Sequence, residues 1–537
     1  MFVTIYLIIY TIIDMKKFFR LFFGRLFWIG LIIFVELAAI ILLSIFFNEI
    51  LEILSIYFYF AGSILLVLLD VIVMIYIINS KANSSYKITW LFIVGLFSFI
   101  GVVIYLMFGN KNTTKRMRKK IGPIVNATRQ IPTSPRINEE LSKDSDSLDA
   151  LKIANYIQNS SGSPIYDHTE TTFFKTGEEF WPVVLEELKK AKHYIFIEYF
   201  IIEKGEFFDS ILNILKEKAK EGVDVRLMYD DVGSISTLPT SFPKKMEKYG
   251  IKCVSYNRFK PFINVKINNR DHRKILVIDG YIGFTGGLNL ADEYVNKIVR
   301  FGYWKDNAIM LKGRGVYGLT MLFLQNWVAN KGGYQELSDE KYNFSYYYHT
   351  STIESDGYIQ PYGDIPYDDE AVAESLYLRL ISIARKYIYI TTPYLIPTEA
   401  MEMALCNATK GGVEVHIVTP GIPDKKAVFN ITRSYYDKLI KAGVHIHEYT
   451  PGFIHEKMFI VDDKYATIGT INVDYRSLYL NLENAVFLYK AKTILDMKDD
   501  YEETMRVSEE ITLERYNKIR RHRKIIWGIL RIFAPMM

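Results

Sequence analysis

The sequence predicts an α/β protein in which apolar membrane-spanning helices precede two duplicated halves packed about a pseudo-two-fold axis. Two observations support this fold class. Long apolar runs fill most of the first 108 residues. Further along, a strand–helix–strand pattern occurs twice, and each copy leads to a His, a Lys two residues later and an Asp five residues after that. Because parallel strands need helical crossovers, each copy reads as one α/β unit, and the repetition reads as a duplication.

The apolar runs come first along the chain. They cover residues 26–47, 51–78 and 90–108. Each is long enough to cross a hydrocarbon core roughly 30 Å thick as a helix. Residues 1–120 are therefore predicted to form a membrane anchor with about three spans. Glu36 and Asp70 lie within these runs and are expected to face helix contacts or the membrane interface.

The remainder divides by composition. Residues 121–165 are polar and rich in serine, and are predicted to form a linker. Residues 166–345 and 346–500 are the two predicted halves. Residues 501–537 are predicted to end in a basic helix at the membrane interface, because basic residues there run into an apolar segment with Trp527.

Composition excludes several classes of protein. Cys253 and Cys406 are the only cysteines and no C-x-x-C occurs, so neither a disulfide framework nor a thiolate metal site is expected. A net charge of +5 is too small to predict nucleic-acid binding.

The repeated triplets carry the candidate chemistry. "HRKILVID" has the composition of a strand, in which His272 and Lys274 would share one face. His455 and Lys457 repeat that arrangement. Asp279 and Asp462 have the opposite parity, so they are predicted to fix a strand end more than to reach the reacting atom.

A His beside a Lys, without cysteine or a carboxylate cluster, suits an anion better than a metal. The glycines that follow, with Asn289 and Asn472, add donors that fit a phosphate group. Displacement at phosphorus needs one group to attack and one to protonate the leaving oxygen, and two halves supply two histidines. Asp306 and Glu483 follow their histidines by 34 and 28 residues and are candidates to bind imidazole Nδ1.

Two other histidines lie close together in the sequence. His445 and His447 have the i, i+2 spacing of a metal pair, but no third ligand is apparent. We interpret them as polar strand positions and predict no metal site and no cofactor.

At the two triplets the sequence resembles the phospholipase D superfamily, and within it bacterial cardiolipin synthase. The stretches "HRKILVIDGYIGFTGGLNLADEY" and "PGFIHEKMFIVDDKYATIGTINVDYRSLYLNLE" carry the resemblance, together with "YITTPYLIP" and the apolar "WLFIVGLFSFIGVVIYLMFGN". The extra apolar run before residue 51 departs from the family's simpler two-span pattern.

The resemblance implies a membrane enzyme that joins two phosphatidylglycerols into cardiolipin and releases glycerol. His272 would become a phosphohistidine and His455 would handle protons. The lysines and Asn289 and Asn472 would hold phosphate. A hydrolytic phospholipase D, and less strongly a nuclease of the superfamily, remain alternatives.

The resemblance also bears on location. Counting Lys and Arg beside the spans leaves the orientation undecided, because both orientations place six such charges inside. A phosphatidylglycerol substrate and the low cysteine count, which fits a reducing compartment, favour catalytic halves on the cytoplasmic side of a multi-pass cell-membrane protein. Expected partners are membrane lipids and no nucleic acid.

Overall fold

The structure, a computed structural model, describes residues 56–109, 112–128, 133–258, 269–331, 347, 353–355, 357–368 and 370–536, with isolated helical positions between 31 and 49. The chain divides into two compact units. One comprises residues 1–113, 231–239 and 257–268, and the other comprises the remaining residues. The first predicted span, with Glu36, lies outside the described residues apart from those isolated positions.

Two apolar helices form a hairpin in the first unit. Helix α1 is Ile56–Asn79 and helix α2 is Ser84–Ile104, followed by a π turn at Tyr105–Gly109. Within the described residues, these two are long and apolar enough to cross a membrane. Asp70 accepts a hydrogen bond of 2.5 Å from the Ser98 hydroxyl, so this carboxylate faces the neighbouring helix.

The predicted linker at 121–165 is largely helical, contrary to the expectation from its composition. It contains α3 (Asn112–Thr128), α4 (Pro135–Leu141) and α5 (Ser145–Ser161). The Asp144 side chain caps the start of α5, and left-handed Gly162 ends it. Small and apolar residues of α5 recur on one face and enter the core of the second half, so tertiary packing overrides a polar composition.

The first half is built on a seven-stranded sheet. Its strands are β1 (Thr169–Phe174), β2 (Tyr194–Tyr199), β3 (Asp224–Asp230), β4 (Lys252–Tyr256), β5 (Lys274–Ile278), β6 (Ile282–Gly286) and β8 (Ala308–Gly313). Its helices are α6 (Gly177–Lys190), α7 (Glu206–Lys220), α8 (Phe242–Glu247) and α9 (Val316–Lys331). The short strand β7 (Tyr303–Lys305) lies outside this sheet.

The second half repeats this design. Its sheet contains β9 (Tyr358–Asp364), β10 (Tyr387–Thr391), β11 (Glu414–Pro420), β12 (His445–Tyr449), β14 (Met458–Val461), β15 (Tyr465–Gly469), β16 (Glu483–Tyr489) and β17 (Ser508–Glu510). The helices are α10 (Val372–Ile383), α11 (Glu399–Lys410), α12 (Lys426–Ser434), α13 (Tyr436–Ala442), α14 (Tyr475–Tyr479), α15 (Thr493–Arg506), α16 (Leu513–Asn517) and α17 (Arg521–Arg531). Strand β13 (Gly452–Ile454) stands apart.

The strand orders confirm the duplication. The first sheet runs β1-β8-β6-β5-β2-β3-β4, and the second runs β9-β16-β15-β14-β10-β11-β12 before adding β17. In both, the strand–helix–strand unit predicted from the sequence is a parallel pair, β2 with β3 and β10 with β11. Since β17 completes the second sheet, part of the predicted C-terminal segment belongs to that half.

Helix α9 lies in the core shared by the two halves. Nearly all its side chains are buried, and its Phe323 stacks on Phe196 of β2 with ring centroids 4.7 Å apart. The same core contains Val418 and Val486 from strands of the second sheet. One continuous apolar core therefore fixes the two halves against each other.

The halves also exchange backbone hydrogen bonds in two places. Strand β7 pairs in parallel with β13, matching Lys305 with Ile454. An isolated parallel bridge joins Asp271 to Leu482. At the first contact the chains are so close that a Cβ on Gly452 would lie 2.0 Å from the Tyr303 carbonyl oxygen. Only glycine fits at that position without displacing the paired strand.

The Asp of each triplet organises the start of a neighbouring strand. Asp279 and Asp462 each begin a tight hairpin turn with left-handed backbone, at φ 52° and 55°. Each carboxylate accepts three backbone N–H groups over 2.7–2.9 Å, those of residues 192–194 and 385–387 respectively. The two aspartates therefore fix the beginnings of β2 and β10, the strands beside the triplets.

We predict that Asp279→Asn lowers stability more than it lowers the activity per folded molecule. Asparagine can keep the left-handed turn, but its amide N–H₂ would face a backbone N–H in place of a carboxylate oxygen. The lost hydrogen bond should lower the free energy of unfolding by about 1–3 kcal/mol. Thermal unfolding and the activity per folded molecule measure the two effects, with exposed Asp496→Asn as the control. Unchanged unfolding with complete loss of activity would contradict this role.

Candidate active site

The cross-half backbone pairs place a carboxylate beside each histidine. Asp306 directly follows β7, and His455 directly follows β13, so the parallel register brings the two residues side by side. His272 and Glu483 directly follow the other bridge, between Asp271 and Leu482. Backbone geometry thus builds two equivalent His–carboxylate pairs.

Each pair is made by residues of different halves. His455 Nδ1 lies 2.6 Å from Asp306 Oδ2, and His272 Nδ1 lies 2.9 Å from Glu483 Oε2. Both carboxylates are completely buried. The sequence predicted that Asp306 and Glu483 bind histidines, but it did not predict that each binds the histidine of the other half. Spacing along the chain carries no information about contacts between the halves.

The strand placement of the triplets needs one correction. The sheet strands begin at Lys274 and Met458, so His272 and His455 lie just before them and not within them. The reason is that both histidine amides bond across the halves, His272 N to Leu482 O and His455 N to Lys305 O. The two histidines therefore belong to the contact between the halves.

The two lysines bend back to their own histidines but make different contacts. Lys274 Nζ donates to the His272 carbonyl at 2.8 Å. Lys457 Nζ contacts the His455 carbonyl and also lies 2.8 Å from His455 Nδ1. An ammonium group can only donate, so this contact favours a lone pair on His455 Nδ1 and the proton on Nε2, with Asp306 in its protonated form donating to the same nitrogen.

The two asparagines are buried close to the triplets. Asn289 accepts the Ile201 N–H at 3.1 Å and donates to the Tyr294 hydroxyl at 2.7 Å. Asn472 bonds to Asp474. Both are held in place by protein partners, and whether they contact phosphate stays a prediction.

Burial controls the charge of the triplets. It lowers the pKa of His272 to about 4 and that of His455 well below its ordinary value. Burial, followed by the repulsion of Lys457, lowers the pKa of Lys274 to about 7, and burial lowers the pKa of Lys457 to about 8. Each triplet thus acts electrostatically on the other, so the two histidines and two lysines lie near enough to form one site.

The two carboxylates are electrostatically different. Burial raises the pKa of Asp306 to about 7. Burial would also raise the pKa of Glu483, but the nearby charges and hydrogen bonds of His272, Lys274 and Thr470 hold it below its usual range. Thr470 Oγ1 and Asn481 Nδ2 donate to Glu483 at 2.5 and 3.0 Å, so this carboxylate is ionised.

Several residues around the site were not predicted from the sequence. Buried Lys305 bonds to Asp500 at 2.7 Å and to Glu456 at 2.9 Å, behind the Asp306–His455 pair. Aromatic rings line both imidazoles: Phe200 lies 5.0 Å from His272, and Trp304 lies 5.5 Å from His455. The x position of the second triplet, Glu456, and the aromatic Trp304 two residues before Asp306 were the available signals.

His445 and His447 lie on β12, outside the two His-Lys-Asp triplets. His416 of β11 joins them, with its Nδ1 3.2 Å from His447 Nε2. Among the described residues, no group of three or more His, Cys, Asp or Glu side chains is placed to hold a metal ion. We retain their interpretation as polar strand positions.

Comparison with known proteins identifies the family. Residues 184–302 and 377–505 match the family described as cardiolipin synthase, PLD-like domain, and residues 68–110 match phospholipase D-nuclease N-terminal. An uncharacterized protein of Streptococcus mutans is 40% identical, and the alignment covers 86% of this chain and 99% of that protein. A cardiolipin synthase of Halalkalibacterium halodurans is 35% identical, with 89% of this chain and 94% of that protein covered.

A solved structure agrees on the fold. Phosphatidylserine synthase of Haemophilus influenzae superposes with a TM-score of 0.54 at 14% identity, covering 72% of this chain and 98% of that one. Together with the two apolar helices, these similarities indicate a membrane protein. The chain belongs to the cardiolipin synthases of the phospholipase D superfamily, which are phospholipid phosphatidyltransferases.

Proposed function

We propose that this protein transfers a phosphatidyl group from one phosphatidylglycerol to another, giving cardiolipin and glycerol through a phosphohistidine on His272. The observation that carries the proposal is the meeting of two crosswise His–carboxylate pairs and two lysines. That set offers a nucleophile, an acid and two cations to one phosphodiester. Relatives named cardiolipin synthase support the lipid substrate.

The assignment of His272 as nucleophile rests on the tautomers. Ionised Glu483 accepts the His272 Nδ1–H, which leaves a lone pair on Nε2 for attack on phosphorus. The new P–N bond makes the ring cationic, and the Glu483 charge lies beside it. On the other side, Lys457 and Asp306 lie beside His455 Nδ1, so its Nε2 carries the proton that is given to the leaving group, and protonated Asp306 can replace it through Nδ1.

Two displacements complete the reaction. In the first, His272 Nε2 bonds to phosphorus, the bond from phosphorus to the glycerol oxygen breaks, and His455 Nε2 protonates that oxygen while protonated Asp306 gives its proton to His455 Nδ1, so the imidazole stays neutral. In the second, His455 Nε2 removes the proton from a hydroxyl group of the second phosphatidylglycerol and Nδ1 returns its proton to Asp306, while the lipid oxygen attacks phosphorus and releases His272. Lys274 and Lys457 offset the phosphate charge throughout. The scheme has no step that requires nucleic acid.

Product analysis tests the reaction. Purified protein with phosphatidylglycerol in mixed micelles should form cardiolipin and glycerol in equal amounts, and chelators should leave the rate unchanged because lysines meet the phosphate charge. Phosphatidic acid as the main product would favour a hydrolytic phospholipase D. An absolute requirement for a divalent ion at the chemical step would contradict the proposal.

Covalent trapping distinguishes the histidines. With phosphatidylglycerol labelled in its phosphatidyl group, His455→Ala should accumulate some acid-labile phosphoenzyme, because the nucleophile remains. His272→Ala should accumulate none, although both variants should lose several orders of magnitude in steady-state rate. Label on His455 in the His272 variant would reverse the assignment.

The pH dependence should follow the shifted groups. His272 attacks only when neutral, so activity should fall below its pKa near 4. Lys274, Lys457 and Asp306 act in their protonated forms, so kcat/KM should decline as pH rises through their pKa values of about 7 to 8. Initial rates across this range in neutral micelles measure both limbs of the profile.

Asp306→Asn should make the alkaline limb of the pH profile shallower, whereas the control Asp496→Asn should not. An unchanged alkaline limb in Asp306→Asn would show that deprotonation of Asp306 does not contribute to the loss of activity at high pH.

We also propose that the catalytic halves face the cytoplasm of a multi-pass protein. Cys253 and Cys406 are both free and buried, which fits a reducing compartment. A cysteine at exposed Lys143 should be protected from an impermeant thiol reagent in intact cells and should react after lysis. Labelling before lysis would reverse the orientation.

A further inference from the structure

The C-terminal helix α17 carries its large apolar side chains on the face turned away from the protein. Ile525, Ile526 and Ile529 are 60%, 51% and 55% exposed. Their spacing places them on one side of the helix. Trp527, on the opposite side, is 4% exposed. A helix on the surface of a water-soluble domain has the reverse arrangement.

Contacts on the inner face hold α17 in this orientation. Arg531 donates to Glu402 at 3.0 Å, and its guanidinium group lies 3.9 Å from the centre of the Tyr435 ring. Lys524 lies 4.2 Å from the centre of the Tyr516 ring. Rolling the helix to bury its isoleucines would break these contacts, so the apolar outer face belongs to the folded state.

Cations lie at the amino end of the apolar face. Arg521 and Arg523 lie in the first turn of α17 and Arg520 directly precedes it, and that turn contains no acidic residue. Within the described part of the chain these three arginines form no ion pair. The amino end of a helix is its positive end, so cations there are unfavourable by themselves. An external anionic surface would offset this repulsion.

The helix is a near neighbour of the catalytic site. It packs against α12, and Lys425, directly before α12, is close enough to His455 to lower the pKa of that imidazole. Asp424 accepts a hydrogen bond of 2.6 Å from Tyr394 at the same end of α12. One helix therefore separates the exposed isoleucines from the residues that act on the substrate phosphate.

We infer that α17 docks on an anionic phospholipid bilayer, inserting Ile525, Ile526 and Ile529 among the acyl chains and placing its arginines against headgroup phosphates. We choose a bilayer as the binding partner because an exposed apolar stripe with cations at one end matches acyl chains beneath anionic headgroups. The inference rests on the proposed function in one respect, that the substrate phosphates are those of bilayer lipids. Docking would hold the catalytic site at the level of those headgroups.

Fluorescent labelling tests the contact directly. Full-length protein carrying Ile526→Cys and an environment-sensitive dye is placed in lipid nanodiscs with and without phosphatidylglycerol; native Cys253 and Cys406 are buried. Lipids brominated in their acyl chains should quench this dye at least about twofold, more strongly with phosphatidylglycerol. Leu495→Cys, which replaces a side chain with the same 51% exposure, is the control and should not be quenched. Absence of quenching at 526, whether water or protein covers the helix, would overturn the inference.

Activity separates docking from chemistry. Ile526→Glu should lower kcat/KM on phosphatidylglycerol vesicles roughly tenfold or more while leaving turnover of monomeric short-chain phosphatidylglycerol unchanged. Leu495→Glu should change neither rate. Equal loss on both substrates, or no loss on vesicles, would overturn docking. Failure of the unaltered enzyme to use either substrate would contradict the proposed function, and the quenching result would still decide the docking.

Discussion

The reciprocal backbone pairing between the two halves is the constraint on which the catalytic site depends. One short parallel ribbon, β7 with β13, and one bridge, Asp271 with Leu482, set the register of the residues that follow. A histidine and a carboxylate come next in each case. Neither half can complete its own His–carboxylate pair, which gives a physical reason for the two halves to remain in one chain and one core.

Duplication supplies two similar pairs, but their surroundings make them chemically different. Glu483 receives hydrogen bonds from Thr470 and Asn481 in addition to His272 and therefore holds its charge. Asp306 accepts the Asn307 N–H at 3.0 Å, but burial outweighs the nearby donors and charges and raises its pKa to about 7. In the proposed mechanism, this difference distinguishes one nucleophile from one acid–base group, a division that the triplets alone do not contain.

Much of this arrangement could be predicted from the sequence, and the failures have identifiable causes. The two α/β halves and their triplets were predictable because strand and helix periodicity are local and the polar pattern occurs twice. The strand parity of Asp279 predicted its place at a strand end, where the structure has it. The helix α5 was not predicted because its many serine and asparagine residues are typical of loops, although capping residues and an apolar face are present.

Contacts between distant parts of the chain were beyond prediction from spacing. The crosswise pairing of Asp306 and Glu483 depends on strand register between the halves, and the buried Lys305–Glu456–Asp500 cluster brings together three separated segments. The outward-facing isoleucines of α17 were visible as composition, but their direction is set by Arg531 and Trp527 packing on the opposite side.

The crosswise pairing can be tested with a substrate whose leaving group needs no acid. A p-nitrophenyl ester of phosphatidic acid should release p-nitrophenolate in a rapid first turnover from His455→Ala, because that leaving group departs without a proton. If Asp306 serves His455, Asp306→Asn should retain the rapid release, whereas Glu483→Gln should lose it together with His272→Ala. Retention by Glu483→Gln with loss in Asp306→Asn would show that each carboxylate serves the histidine of its own half, and would contradict the account.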